Sequence, residues 1–185
     1  GYYRAAYTLV YSLIPLIAFP TSLLLPVFSK LSIKKSEKIL NRVFRFISIF
    51  IIPIAFGAAI LGKYFIKLLY GEAYLSAVLP LYFLSFAIIP VAYASVFLPI
   101  FTAKGKPQIL AKLIFFSSLI NIILNFILIK LILNFSESII PGGDPFLLVT
   151  GGVAIATLLS WSFYFLLAFY KSKKEFKLKT PLNIL

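Results

Sequence analysis

None of the 185 residues is Cys, His or Met, and only 5 are Asp or Glu. Without Cys there is no disulfide, thiol nucleophile or thiolate ligand, and without His there is no imidazole acid–base chemistry. No metal site and no cofactor is expected, and any function must run on carboxylates, amides, hydroxyls, aromatic rings and cations. The missing Met, with Gly1 in first place, is expected of a piece of a longer protein. Charge as a whole is scarce, at 12% of residues against about 25% in soluble domains, while 62% are hydrophobic against about 45–50%. One core of this size cannot enclose that much apolar surface, so a soluble globular domain is excluded and lipid must solvate much of the chain.

A helix crosses the hydrocarbon layer with about 20 largely apolar residues. Runs of that kind occur at 5–28, 43–61, 77–101, 109–133 and 146–170, and none contains Asp or Glu. The predicted fold is therefore all-α: a polytopic membrane helix bundle of about five spans over residues 1–170, followed by a basic tail at 171–185. The first run lacks the charged leader and small-residue cleavage site of a signal peptide.

The 18 Lys and Arg leave a net charge of +13, which in a polar chain would suggest nucleic acid. Their placement excludes it. Every cation except Arg4, Lys63, Lys67 and Lys130 falls in the segment 29–45, the turn around Gly105, or the tail, all on one side of the five predicted spans. Cations near span ends mark the cytoplasmic side. The expected topology puts Gly1 outside and Leu185 in the cytoplasm of a multi-pass cell-membrane protein, with some cations touching anionic lipid headgroups.

The connections differ in kind. KYFIKLLYGEAY, residues 63–74, has Lys63 and Lys67 four apart and is predicted as a short interfacial helix ended by Gly71. TAKGKPQ, residues 102–108, is a tight turn with Gly105 and Pro107 as breakers, which makes the spans on either side antiparallel neighbours. NFSESIIPGGDP, residues 134–145, is predicted as the longest external loop and opens on a glycosylation sequon at Asn134.

Within the spans, Pro15, Pro20, Pro26, Pro53, Pro80, Pro90 and Pro99 each remove a backbone hydrogen bond. They favour kinked, cavity-lining helices, although Pro is also simply commoner in membrane helices than in soluble ones. Ser117, Asn121 and Asn125 recur every four residues and form one polar stripe, either as hydrogen-bonding glue between helices or as the wall of a hydrated cavity. Gly152, Ala156 and Ser160 form a small-residue stripe suited to close helix packing. Tyr3, Tyr7 and Tyr11 share a face beside Arg4. They suit an interfacial aromatic belt, or a site where Arg4 meets an anion and the rings stack on a sugar. The candidate substrate-binding residues are thus Arg4, Tyr3, Tyr7, Tyr11, Asn121 and Asn125. No span holds a carboxylate, so no acid–base pair within the bilayer is available and the protein is not expected to be an enzyme.

GYYRAAYTLVYSLIPLIAFPTSLLLPVFSKLS resembles the GYYSAAY-type motif and FPVLS-type end of polysaccharide-biosynthesis flippases of the multidrug/oligosaccharidyl-lipid/polysaccharide exporter superfamily. LLYGEAYLSAVLPLYFLSFAIIP, AKGKPQ and SSLINIILNFILI are similar to successive segments of that family's C-terminal half. The resemblance rests on Tyr2, Tyr3, Ala6, Tyr7, Pro26, Ser29, Gly71, Tyr74, Gly105, Asn121 and Asn125. It implies the incomplete second lobe of a two-lobe exporter. Such a protein flips lipid-linked oligosaccharide across the cytoplasmic membrane by alternating access, without covalent chemistry.

The implied partners are membrane lipid, a lipid-linked oligosaccharide with an anionic pyrophosphate headgroup, and an N-terminal lobe of the same protein. A cationic, polar-lined cavity is expected. The alternatives are a drug or metabolite antiporter of the superfamily, a membrane scaffold without transport, or a subunit of a membrane-embedded glycosyltransferase.

Overall fold

In the computed structural model residues 1–15, 21, 23–30, 33–139 and 145–176 are described, and among them no strand occurs. The elements are α1 (Tyr2–Tyr11), α2 (Leu24–Lys30), α3 (Ile33–Tyr70), a 3-10 turn (Glu72–Ala77), α4 (Val78–Ser95), α5 (Phe97–Ala103), α6 (Pro107–Ile139) and α7 (Pro145–Phe176). Four stretches of the described residues are long and apolar enough to cross a membrane: Lys35–Tyr70, Glu72–Ala103, Pro107–Phe135 and Pro145–Phe176. The predicted run 5–28 is met as α1 and α2. Pro20 and the rest of 16–20, with residues 22, 31–32, 140–144 and 177–185, lie outside the described residues.

α4 is the core of the bundle. It is apolar on every face, and Leu81, Leu84, Ala87 and Ile88 are wholly buried. It packs most extensively against α7, then α3, then α1, while α6 leans mainly on α7. The outward faces show what the solvent must be. Ile49 and Ile60 on α3 and Ile122 and Phe126 on α6 are each between 65% and 70% exposed. Contiguous apolar surface of this kind is stable only against lipid or another apolar partner.

Glycines set how closely these helices approach. A side chain at Gly151 would stand 2.9 Å from Leu79 of α4, and one at the adjacent Gly152 would stand 2.5 Å from Ile132 of α6. Neighbouring positions on α7 thus serve two different partners. The small-residue stripe at Gly152, Ala156 and Ser160 does mark close packing, and Ser160 adds a hydrogen bond to it (below).

Several boundaries differ from the sequence-based expectation. α3 runs unbroken for 38 residues, roughly 57 Å at about 1.5 Å per residue, so 63–70 continues its axis and does not form a separate interfacial helix. Gly62 lies within it, and the space its side chain would fill is occupied by Leu81 of α4. Gly71, at φ 82°, does end it, and Lys67 and Glu72 pair at 2.7 Å across the break.

α6 likewise continues to Ile139, which places Asn134 in a helix and not in an external loop. At the other end of the bundle α7 extends to Phe176, whose buried ring meets Phe101 of α5 edge-on at 5.0 Å.

The prolines divide by position. Pro26 and Pro80 sit in the first turns of α2 and α4, where the missing N–H has no intrahelical acceptor. Pro53 and Pro90 lie inside α3 and α4 without ending them. Pro99 accounts for the break at Val96 between α4 and α5, because its ring clashes with the carbonyl four residues earlier. The Gly105 turn closes as expected. Lys106 N–H donates to the Phe101 carbonyl and Gly105 N–H, at φ 70°, to that of Thr102, after which Pro107 starts α6.

Candidate functional site: a polar pocket between α1, α6 and α7

The tyrosines of α1 recur every four residues and therefore stack along one face. Tyr3 and Tyr7 have ring centroids 6.1 Å apart, and Tyr7 and Tyr11 4.0 Å apart at 15°. The buried Ala5, Ala6 and Val10 flank this stripe and are small enough to bring α1 against α4. This arrangement turns the rings toward α6 and α7.

A hydrogen-bond network links the three helices through Thr157. Tyr3 Oη lies 3.1 Å from Thr157 Oγ1, and because the Thr157 proton is directed to the Val153 carbonyl, Tyr3 is the donor. From α6, Asn125 Nδ2 donates to Asn121 Oδ1, and Asn121 Nδ2 donates to Ser160 Oγ, each at 3.0 Å. Ser160 in turn donates to the Thr157 carbonyl. The amide stripe is therefore interhelical glue, and part of it also faces a cavity.

That cavity has a volume of about 330 Å³ and is lined by Tyr3 and Tyr7 of α1, Ile114, Ser117, Ser118, Asn121 and Ile122 of α6, and Thr157, Ser160, Trp161 and Tyr164 of α7. The Ser117 hydroxyl is buried and has no partner. A buried polar atom without a partner costs about 1–3 kcal/mol, so such an atom on a pocket wall invites a ligand or water.

Of the sequence candidates, the structure brings Tyr3, Tyr7 and Asn121 together. Asn125 supports Asn121 from behind, and Tyr11 supports Tyr7 by stacking, but neither lines the pocket. Arg4 is exposed on α1 and also stands outside it.

The expected cationic lining is not found. No Lys, Arg, Asp or Glu lines the pocket, because the cations cluster at helix ends while the pocket opens within apolar spans. Thr157, Trp161 and Tyr164 were not singled out from the sequence. Together with Ser160 they follow the spacing i, i+3, i+4, i+7, a hydroxyl-and-aromatic face of α7 that periodicity could have shown.

Chemically the site offers hydroxyl and amide hydrogen bonds beside flat rings. It has no nucleophile–base pair, and no group of three or more His, Cys, Asp or Glu able to hold a metal occurs among the described residues.

Fold and site together define the class: the chain is a multi-pass helical membrane protein with a polar pocket between its helices. Residues 1–79 match the family model described as "Polysaccharide biosynthesis protein", and over this stretch the chain is similar to that family. The match spans α1 to the start of α4 and contains the tyrosine face, while Asn121 and Thr157 lie beyond it. No curated protein and no solved structure gives a match.

Proposed function

We propose that this protein flips a lipid-linked oligosaccharide across the cytoplasmic membrane by alternating access, with no covalent step. One observation carries the proposal: a neutral pocket of hydroxyls, one amide and stacked tyrosines within a lipid-solvated bundle whose N-terminal part resembles polysaccharide-biosynthesis proteins. Sugar hydroxyls moved out of water lose several hydrogen bonds, and each must be replaced to keep the crossing inexpensive. Asn121, Ser117 and the Thr157–Ser160 pair offer replacements, and the exposed part of the Tyr7 ring offers apolar contact for a pyranose. With no cation on its wall, the pocket suits the neutral sugars of the headgroup and not its pyrophosphate.

The proposed partners are the bilayer, the lipid-linked oligosaccharide, and a second helical lobe that closes the pocket. The proposed topology keeps Gly1 outside and the basic ends of the helices cytoplasmic. Lys35→Cys and Ser138→Cys variants test it, since only the cysteine at 138 should label from outside.

Transport itself is tested by following lipid-linked sugar between leaflets in cells carrying Tyr7→Ala or Asn121→Leu. Accumulation in the cytoplasmic leaflet, with normal protein levels, is the expected result. An unchanged leaflet distribution in cells lacking the protein altogether would overturn the proposal.

A further inference from the structure

The polar pocket has an apolar neighbour. Ile114, Trp161 and Tyr164, which line the first cavity, also line a second of about 620 Å³. Its other walls come from different helices: Leu25 of α2, Val91 and Ala94 of α4, and Leu98 of α5. The hydroxyl of Ser95 on this wall is directed to the Ala92 carbonyl, so the surface presented is chiefly hydrocarbon. Each cavity falls in the range of about 300–1,000 Å³ usual for ligand sites.

We propose that the two cavities are one amphipathic site, the polar part for a sugar headgroup and the apolar part for the hydrocarbon chain attached to it. The inference rests on the function proposed above and adds that the chain is held inside the protein while the headgroup crosses.

Three observations support this occupant. The cavities adjoin, with Ile114, Trp161 and Tyr164 lining both, so one molecule passing these side chains would reach from one into the other. The shared residues include Trp161 and Tyr164, whose rings combine an apolar body with one polar atom and so suit a boundary between the two environments.

The order of the cavities along the bundle fits as well. α4 and α7 run side by side in one direction, with Leu79 beside Gly151 and the Tyr93 ring 5.6 Å from Phe165. In that frame the apolar cavity lies nearer the basic Lys104 end and the polar one nearer the 3-10 turn. A lipid in the leaflet on the turn side stands in the same order, with its headgroup toward that surface.

The test uses the intrinsic fluorescence of Trp161, the only Trp in the chain, as a reporter at the junction. The full chain in lipid nanodiscs is titrated with one diphosphosugar carrying either a long polyisoprenyl chain or a single isoprene unit. Both should shift the emission. Compared at equal concentration within the bilayer, the long chain should bind at least about tenfold tighter, since a cavity that fits it packs it more closely than fluid lipid does.

Ala94→Phe, which fills the apolar cavity, should abolish that preference and leave binding of the short analogue unchanged. Leu98→Phe narrows the same cavity from α5 and serves if Ala94→Phe does not fold. Equal affinity of both ligands for the wild type, or a preference that survives the cavity-filling variants, overturns this inference and leaves the flippase proposal standing. Failure of both ligands to bind overturns the two together.

Discussion

Gly62 offers a sharp test of how α3 and α4 pack. A methyl group added there would overlap Leu81 Cδ2 and stand 3.0 Å from Cδ1, and Leu81 is wholly buried. Gly57, five residues earlier on the same helix, has nothing within 4 Å of the same added atom. Gly→Ala at either position recovers about 1 kcal/mol of helix propensity. At Gly57 that is the whole effect, so Gly57→Ala should stabilise by up to about 1 kcal/mol. At Gly62 overpacking opposes it by about 1–3 kcal/mol, and the net result is a loss of up to about 2 kcal/mol.

Propensity cancels in the comparison, which leaves a difference of about 1–3 kcal/mol that reports the contact alone. Reversible unfolding by steric trapping in lipid micelles measures it. The double variant Gly62→Ala/Leu81→Ala should cost less than the sum of its parts, since Leu81→Ala alone opens a cavity worth about 2–5 kcal/mol that the new methyl partly fills. Equal stability of Gly62→Ala and Gly57→Ala, or strict additivity in the double variant, would refute the packing described.

Three further outcomes are expected. Asn121→Leu removes the bond to Ser160 and strands the Asn125 amide, a loss of about 1 kcal/mol at roughly 0.6 kcal/mol per interhelical bond, while transport in the leaflet assay should fall far more than stability does. Tyr3→Phe and Thr157→Val each delete the same α1–α7 hydrogen bond, so in a double-variant cycle the two together should cost less than the sum of the single changes; full additivity would deny the bond. Lys106 pairs with Glu175 where the Gly105 turn meets the end of α7, yet the Lys106 side chain is 48% exposed, so Lys106→Ala should lower stability by less than about 1 kcal/mol, and a larger loss would give this ion pair a structural role that its exposure denies.

The absence of charge from the polar pocket bears on how the headgroup is handled. Neutral hydroxyl and amide partners replace lost water at moderate strength, and moderate binding is what a carrier requires if the sugar is to leave again. The pyrophosphate joins sugar to chain and so falls where the two cavities adjoin, beside Trp161 and Tyr164. Arg4, exposed one residue from Tyr3 on α1, remains the cation closest in sequence to the pocket wall.

Much of this protein follows from local rules that sequence obeys directly. Lipid solvation follows from the shortage of charge, helices from apolar runs of the right length, the Gly105 turn from its breakers, and the end of α3 from Gly71. The tyrosine face of α1 and the amide stripe of α6 are consequences of the 3.6-residue period, legible without coordinates. Tertiary structure alone decided which stripes meet. Nothing in the sequence around Gly62 points to Leu81 as its neighbour, and Ser160 reads only as part of a close-packing stripe until Asn121 bonds to it. Thr157 gains its role only because Tyr3 of α1, 154 residues away in sequence, is brought beside it through the packing of α1 and α7 on α4. Local periodicity sets which face a side chain occupies, but the partner of that face depends on contacts between distant segments, and these were set by the packing of glycines and alanines against one central apolar helix.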